Sequence, residues 1–113
     1  MELGQVVALR DIADPDVQET AYGGTPLAAL RSMMVDGLAP LAGAYPSLTM
    51  PLLLMNSPQD HVVDPAQAEY LATNYGGPVE RLALERSYHV ATQDYDKDTI
   101  FAKSVEFVTR VTA

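Results

Sequence analysis

The chain has 113 residues, no cysteine, and 15 acidic against 7 basic residues, giving a formal net charge of −8. Without cysteine there is no disulfide framework, thiolate metal site or redox centre, and the acidic balance argues against nucleic acid or anionic lipid, both of which recruit Lys and Arg. No apolar run approaches the roughly 18–20 residues of a membrane span, so no stable membrane insertion is expected, and 48% apolar residues fit one globular domain rather than a disordered chain.

Residues 1–24 are rich in breakers, among them Asp14-Pro15 and Gly23-Gly24, and read as loop with one short helical turn. The run Met1–Asp11 lacks a basic stretch followed by an apolar one, so no signal peptide and a cytoplasmic location are expected. Thr25 is then a good N-cap, Pro26 suits the first helical position, and Gly37 reads as a C-terminal stop. Between them Leu27, Leu30 and Met34 recur at helical spacing, with Met33 beside them. Taken alone, these four side chains fit either a core face or the lining of an apolar pocket.

The second part is more regular. Pro51–Met55 is a short unbroken apolar run, which reads as a strand buried on both faces. A polar loop, Asn56–Asp60, follows. Asp64 caps a helix opened by Pro65, with Ala68, Leu71, Ala72 and Tyr75 as its buried stripe and Gly76-Gly77 as its end. Val79–Leu84 reads as a second strand and residues 86–94 as loop. Asp96 or Asp98 then caps a last helix, with Phe101, Val105 and Val108 on one face and Ile100, Phe107 and Val111 beside it. The chain therefore divides near residue 48. Residues 1–48 form a helical, cap-like segment, and residues 49–113 a βαβα unit with parallel strands. The fold class is α/β. In such sheets the loops after the strands emerge at one edge, where ligands and catalytic groups gather.

Two residues stand at that edge. Asp60 follows the first strand and His89 the second. Paired strand ends lie about 5 Å apart, so short loops bring a carboxylate to an imidazole. A carboxylate that accepts from one ring nitrogen fixes the tautomer and leaves the other nitrogen as a general base. An isolated loop Asp is usually a turn former and an isolated loop His usually solvated; the joint placement is what singles this pair out. Ser57 lies near Asp60, but its surroundings are not a nucleophile elbow. None of the five serines, Ser32, Ser47, Ser57, Ser87 and Ser104, has glycine two residues away on both sides. A metal site from Asp60, His61 and His89 is disfavoured because consecutive residues point apart. Asp94-Tyr-Asp96-Lys-Asp98 mimics a calcium loop but fails at Thr99 and Val105, where Gly and Glu are required. No phosphate-binding glycine loop is present, and neither metal nor cofactor is expected.

Three stretches carry a resemblance: Pro51-Leu-Leu-Leu-Met-Asn-Ser-Pro-Gln-Asp60-His-Val-Val63, Leu84-Glu-Arg-Ser-Tyr-His89-Val-Ala, and Asp94-Tyr-Asp-Lys-Asp98. Residues 47–109 resemble the C-terminal part of an α/β-hydrolase, of the carboxylesterase or monoacylglycerol-lipase-like serine hydrolases. The resemblance implies that Asp60 is the triad acid and His89 the triad base. Asp11–Pro15 and Ala21–Leu30 resemble the end of the cap in such esterases, which implies that Leu27, Leu30, Met33 and Met34 contact substrate. Ser57 stands where family members commonly carry Gly, and Asp64 where Pro is common. The usual order in this fold is Ser, acid, His, so the nucleophile is expected upstream of Asp60, where only cap-like sequence stands. The expectation is a C-terminal fragment of an α/β-hydrolase fold, inert alone and acting on a small acyl ester once completed. The alternatives are a non-catalytic remnant serving as an interaction module, or one half of a split hydrolase. Two strands without neighbours also leave an open sheet edge, so self-association is expected.

Overall fold

Chain connectivity and hydrogen-bond geometry set the architecture of the structure, a computed structural model that describes residues 3–4, 10–20 and 23–113. The apolar run forms strand β3, Leu52–Asn56, one residue later than its proline; Pro51 has no N–H to give a ladder. It pairs in parallel with β4, Val79–Ala83, in register from Leu52 opposite Val79 to Asn56 opposite Ala83. The pairing runs one bond further at each end, Leu52 N–H to the Pro78 carbonyl and Leu84 N–H to the Asn56 carbonyl, both 2.9 Å. The expected burial of β3 on both faces does not hold. All five residues are half-buried; the described sheet is the β3–β4 pair alone, with no described strand beside the other edge of β3.

The crossover helix α3, Ala66–Asn74, starts one residue past Pro65, and the Asp64 carboxylate accepts the Ala66 N–H at 2.9 Å. Its half-buried stripe is Ala68, Leu71, Ala72 and Tyr75, as the spacing predicts. Gly76 and Gly77 end it for a different reason from the one expected. Neither has positive φ; a Cβ on Gly76 would stand 2.1 Å from the Pro46 carbonyl oxygen, and one on Gly77 2.6 Å from that of Thr49. These glycines let two main-chain segments touch.

Helix α4, Lys97–Val111, packs against β3; on it Ile100 is buried and Ser104 and Phe107 are half-buried. Phe101, Val105 and Val108, the face read as apolar from the sequence, are more than half exposed. Both triplets share the same helical spacing, so spacing alone does not choose between them.

The first part departs most from expectation. Thr25 is no N-cap: Thr25–Pro26 forms a two-residue strand β2, antiparallel to β1, Leu3–Gly4. Helix α1, Leu27–Ser32, runs straight through Gly37 by way of a π-helical segment, Met33–Leu38, into α2, Ala39–Ala44, and a 3-10 turn, Tyr45–Ser47. A glycine stop requires the left-handed region, and no described glycine adopts it. Pro40 lacks the N–H that an α-helix would direct to the residue 36 carbonyl, and the wide turns before it fit that gap. Residues 1–2, 5–9 and 21–22, which carry most of the N-terminal reading and the start of the Ala21–Leu30 likeness, lie outside the described residues.

The core is small. Among the described residues only Ile12, Leu84 and Ile100 are buried apolar side chains, against four buried polar ones, Asp11, Ser57, Ser87 and Asp94. The chain exposes 8025 Å², where about 6,100 Å² is usual for a compact monomer of this length. Its radius of gyration is 16.0 Å, against about 13 Å for a compact domain. Among the described residues no helix is long and apolar enough to cross a membrane.

Candidate active site

Loop chemistry places the two singled-out residues. After β3 the chain turns at Ser57, whose hydroxyl accepts the Gln59 N–H at 2.9 Å and donates to the Ser87 carbonyl on the opposite loop. Asp60 then folds the next turn around its own side chain: one carboxylate oxygen, Oδ1, accepts the N–H groups of Val62 and Val63, both at 2.8 Å. The other oxygen, Oδ2, faces His89 Nδ1 at 2.8 Å. The Asp60 side chain is 12% exposed and that of His89 38%. Burial alone pushes the Asp60 carboxyl up; the Val63 N–H, the His89 ring and the Val62 N–H outweigh it and hold the group below the usual carboxylate range. An ionised carboxylate only accepts. His89 Nδ1 therefore donates, and in the neutral ring that leaves the lone pair on Nε2.

The second loop is braced as firmly. Ser87 is fully buried; its hydroxyl donates to Asp96 Oδ2 at 2.8 Å and accepts the Asp96 N–H at 3.0 Å. Asp96 also takes the Arg86 N–H at 3.0 Å, so the residue read as a helix cap is directed back onto the loop. Asp94, 1% exposed, accepts the N–H groups of Ala13, Asp14, Tyr88 and Tyr95 at 2.6–3.0 Å. Burial works against its ionisation, but the four N–H groups prevail and hold its carboxyl low.

Sequence reasoning missed Asp11. Its Oδ2 accepts the main-chain N–H of His61 at 3.0 Å and of His89 at 2.9 Å, and its Oδ1 lies 2.6 Å from His61 Nδ1. Its carbonyl accepts the Val90 N–H at 3.2 Å. No local signal marks it: the bonds go to main-chain groups 50 and 78 positions away. His61 turns toward Asp11 and rests edge-on against Tyr88, with ring centroids 4.7 Å apart, while His89 turns toward Asp60. Among the described residues no three His, Cys, Asp or Glu side chains are placed to hold a metal ion.

The four apolar residues read as substrate contacts lie elsewhere. Leu27, Met33 and Met34 are each more than half exposed and Leu30 is half-buried. Their segments pack chiefly on one another, on β2 and on α2, so the structure does not use them as core.

The parallel pair with its flanking helices is part of an α/β-hydrolase fold of the carboxylesterase and lipase kind. The structure is similar to a solved structure from work on LipS and LipT, two metagenome-derived lipolytic enzymes, with a TM-score of 0.83 and 37% identity, covering 89% of this chain and 41% of that one. In sequence the chain is 36% identical over 98 residues to the thermostable monoacylglycerol lipase of Bacillus sp. (strain H-257), covering 86% of this chain and 39% of that protein. No family model matches the chain. It spans about two-fifths of the length of these relatives.

Proposed function

We propose that Asp60 and His89 are the acid and base of a serine carboxylic-ester hydrolase. The observation that carries this reading is the 2.8 Å contact between His89 Nδ1 and an ionised Asp60, which leaves Nε2 as the basic nitrogen. In the proposed reaction Nε2 takes the proton from a serine hydroxyl as its oxygen bonds to the acyl carbon. Asp60 stabilises the imidazolium that forms. The imidazolium returns the proton to the leaving alkoxide, and water then releases the acid by the same steps. The lipase and lipolytic-enzyme likenesses support an acyl ester as the substrate class, and a monoacylglycerol is the finer reading. In this proposal residues 1–48 form the cap segment, with Leu27, Leu30, Met33 and Met34 touching the acyl chain, and residues 49–113 belong to the catalytic core.

The nucleophile is not proposed within these residues. No serine stands in a Gly-x-Ser-x-Gly elbow. Ser57 and Ser87 are buried and committed to loop hydrogen bonds. The test is a chimera in which this chain replaces the matching segment of the Bacillus lipase. Ester turnover is expected, falling about 10⁶-fold on His89→Ala; turnover that survives His89→Ala refutes the proposal. A second reading, one half of a split hydrolase or an interaction module, draws on the exposed Phe101, Val105 and Val108. Like the first reading, it predicts that the 113-residue chain alone turns over no p-nitrophenyl ester.

A further inference from the structure

We propose that Asp11 is the positioning residue of the Asp60–His89 pair: one buried carboxylate takes the main-chain N–H of His89 and of the residue after Asp60, and so sets the spacing between the two loops. The inference rests on the acid–base reading of that pair and adds to it a residue from outside the βαβα unit.

The strand ladder alone does not fix the pair. Pairing ends at Asn56 and Ala83, with one further bond at Leu84. Asp60 lies four residues beyond the first of these strand ends and His89 six beyond the second. The Ser57 hydroxyl ties the two loops at Ser87, short of both Asp60 and His89, and so leaves the pair itself some freedom, while proton transfer requires hydrogen-bond reach. Asp11 removes that freedom. Two nitrogens bonded to one oxygen at 3.0 and 2.9 Å stand no more than about 6 Å apart. One of them belongs to the peptide joining Asp60 to His61, and the other to His89 itself.

The orientation of the carboxylate is also set. Oδ1 is occupied by His61 Nδ1 at 2.6 Å, which turns Oδ2 toward the two amides. The residue is 5% exposed, so water does not readily replace the missing acceptor if the side chain is shortened. Asp94 anchors the same strand of chain through Ala13 and Asp14 but accepts from neither His61 nor His89. The two buried aspartates thus divide the work: Asp94 seats the segment, and Asp11 reads out the loops. A bound segment that lies just before the helical arm then becomes part of the site geometry.

The test uses the 113-residue chain with nitrogen-15-labelled histidine. The wild type is expected to show an exchange-protected Nδ1–H proton for His89, assigned by its loss in His89→Ala. Asp60→Ala abolishes it. Asp11→Ala is expected to abolish it as well and to speed exchange of the His89 amide about 10- to 100-fold, the effect of losing a bond to a charged acceptor. Asp11→Asn keeps an oxygen able to accept both amides and is expected to retain the His89 signature. A wild type without the signature, or an Asp60→Ala variant that keeps it, overturns the acid–base reading itself. A signature lost in Asp60→Ala but unchanged in Asp11→Ala overturns only the positioning role. If Asp11→Ala does not fold, the unmutated chain still decides: amides of His61 and His89 that exchange without protection overturn the proposal, and protected amides with a retained Asp11→Asn signature support it.

Discussion

Asp94→Ala tests most directly whether hydrogen bonding to buried carboxylates holds this fold. The substitution orphans the N–H groups of Ala13, Asp14, Tyr88 and Tyr95. Tyr95 is exposed and its amide rehydrates, whereas the other three residues are half-buried. An orphaned buried donor costs about 1–3 kcal/mol. With partial rehydration the three together are expected to remove about 3–4 kcal/mol. Total stability is usually about 5–15 kcal/mol, and a chain with only three buried apolar side chains among its described residues belongs at the low end. Asp94→Asn keeps one oxygen but points an NH₂ at donors, so the order of stability is Asp, then Asn, then Ala. Urea titration followed by far-UV circular dichroism and tyrosine fluorescence measures it. An Asp94→Ala chain within about 1 kcal/mol of wild type at pH 7 refutes the reasoning. Acid gives an independent check. The folded state holds the Asp94 carboxyl below its ordinary value of 3.8. Its stabilisation is therefore complete above that value and is lost as pH falls through the lower folded value. Asp94→Ala is expected to flatten that part of the acid dependence.

Gly76→Ala is expected to destabilise by about 1–3 kcal/mol or more, because its Cβ meets the Pro46 carbonyl at 2.1 Å. Gly37→Ala, with nothing within 4 Å, is expected to stabilise the helical arm by about 0.5–1 kcal/mol; equal effects in urea titration refute this contrast. Ser57→Gly removes the hydroxyl bridge between the two loops and is expected to cost about 1–2 kcal/mol, with an unchanged urea midpoint as the refuting result. Val105→Lys, on the exposed face of α4, is expected to shift sedimentation of the isolated chain toward monomer. An unchanged distribution removes that face from the association.

The site was legible to the extent that its parts are local. Asp60 was legible only jointly with His89, as residues following two strands; its bonds to Val62 and Val63 alone mark a turn former. His89 follows a strand that had to pair with the one before Asp60. Asp11 was not legible, because main-chain N–H groups leave no trace in sequence and its partners are 50 and 78 positions away. The fold follows the same division. Parallel pairing of β3 with β4 follows from strand–helix alternation, but the burial of β3 depends on what lies beside it. Gly37 looks like a helix end; the chain passes it because backbone conformation, not residue type, ends a helix. On α4 a serine, Ser104, completes the packed face while three apolar residues face outward, so counting apolar positions selects the wrong side.

Among the described residues the buried ones are mostly polar side chains that tie loops together, and this changes what holds the candidate site in place. Apolar packing is non-directional and would tolerate small shifts between Asp60 and His89. Carboxylates shared between main-chain amides do not, since each bond fixes a distance and a direction. Asp11, Asp60 and Asp94 are all held below the usual carboxylate range by such bonds despite the opposing effect of burial. All three therefore stabilise the loops above the ordinary carboxylate pKa and release them together as acid protonates the folded state. Helices α3 and α4 contribute no donor to the carboxylates of Asp11 or Asp60 and are expected to outlast that release. Acidification past the ordinary carboxyl value of 3.8 and on through the lower folded values should abolish the His89 Nδ1–H resonance while far-UV circular dichroism still reports helix. Coincident loss of both signals would show that the loops and the helices share one cooperative unit, and that the hydrogen-bonded frame is not separable from the rest of the fold.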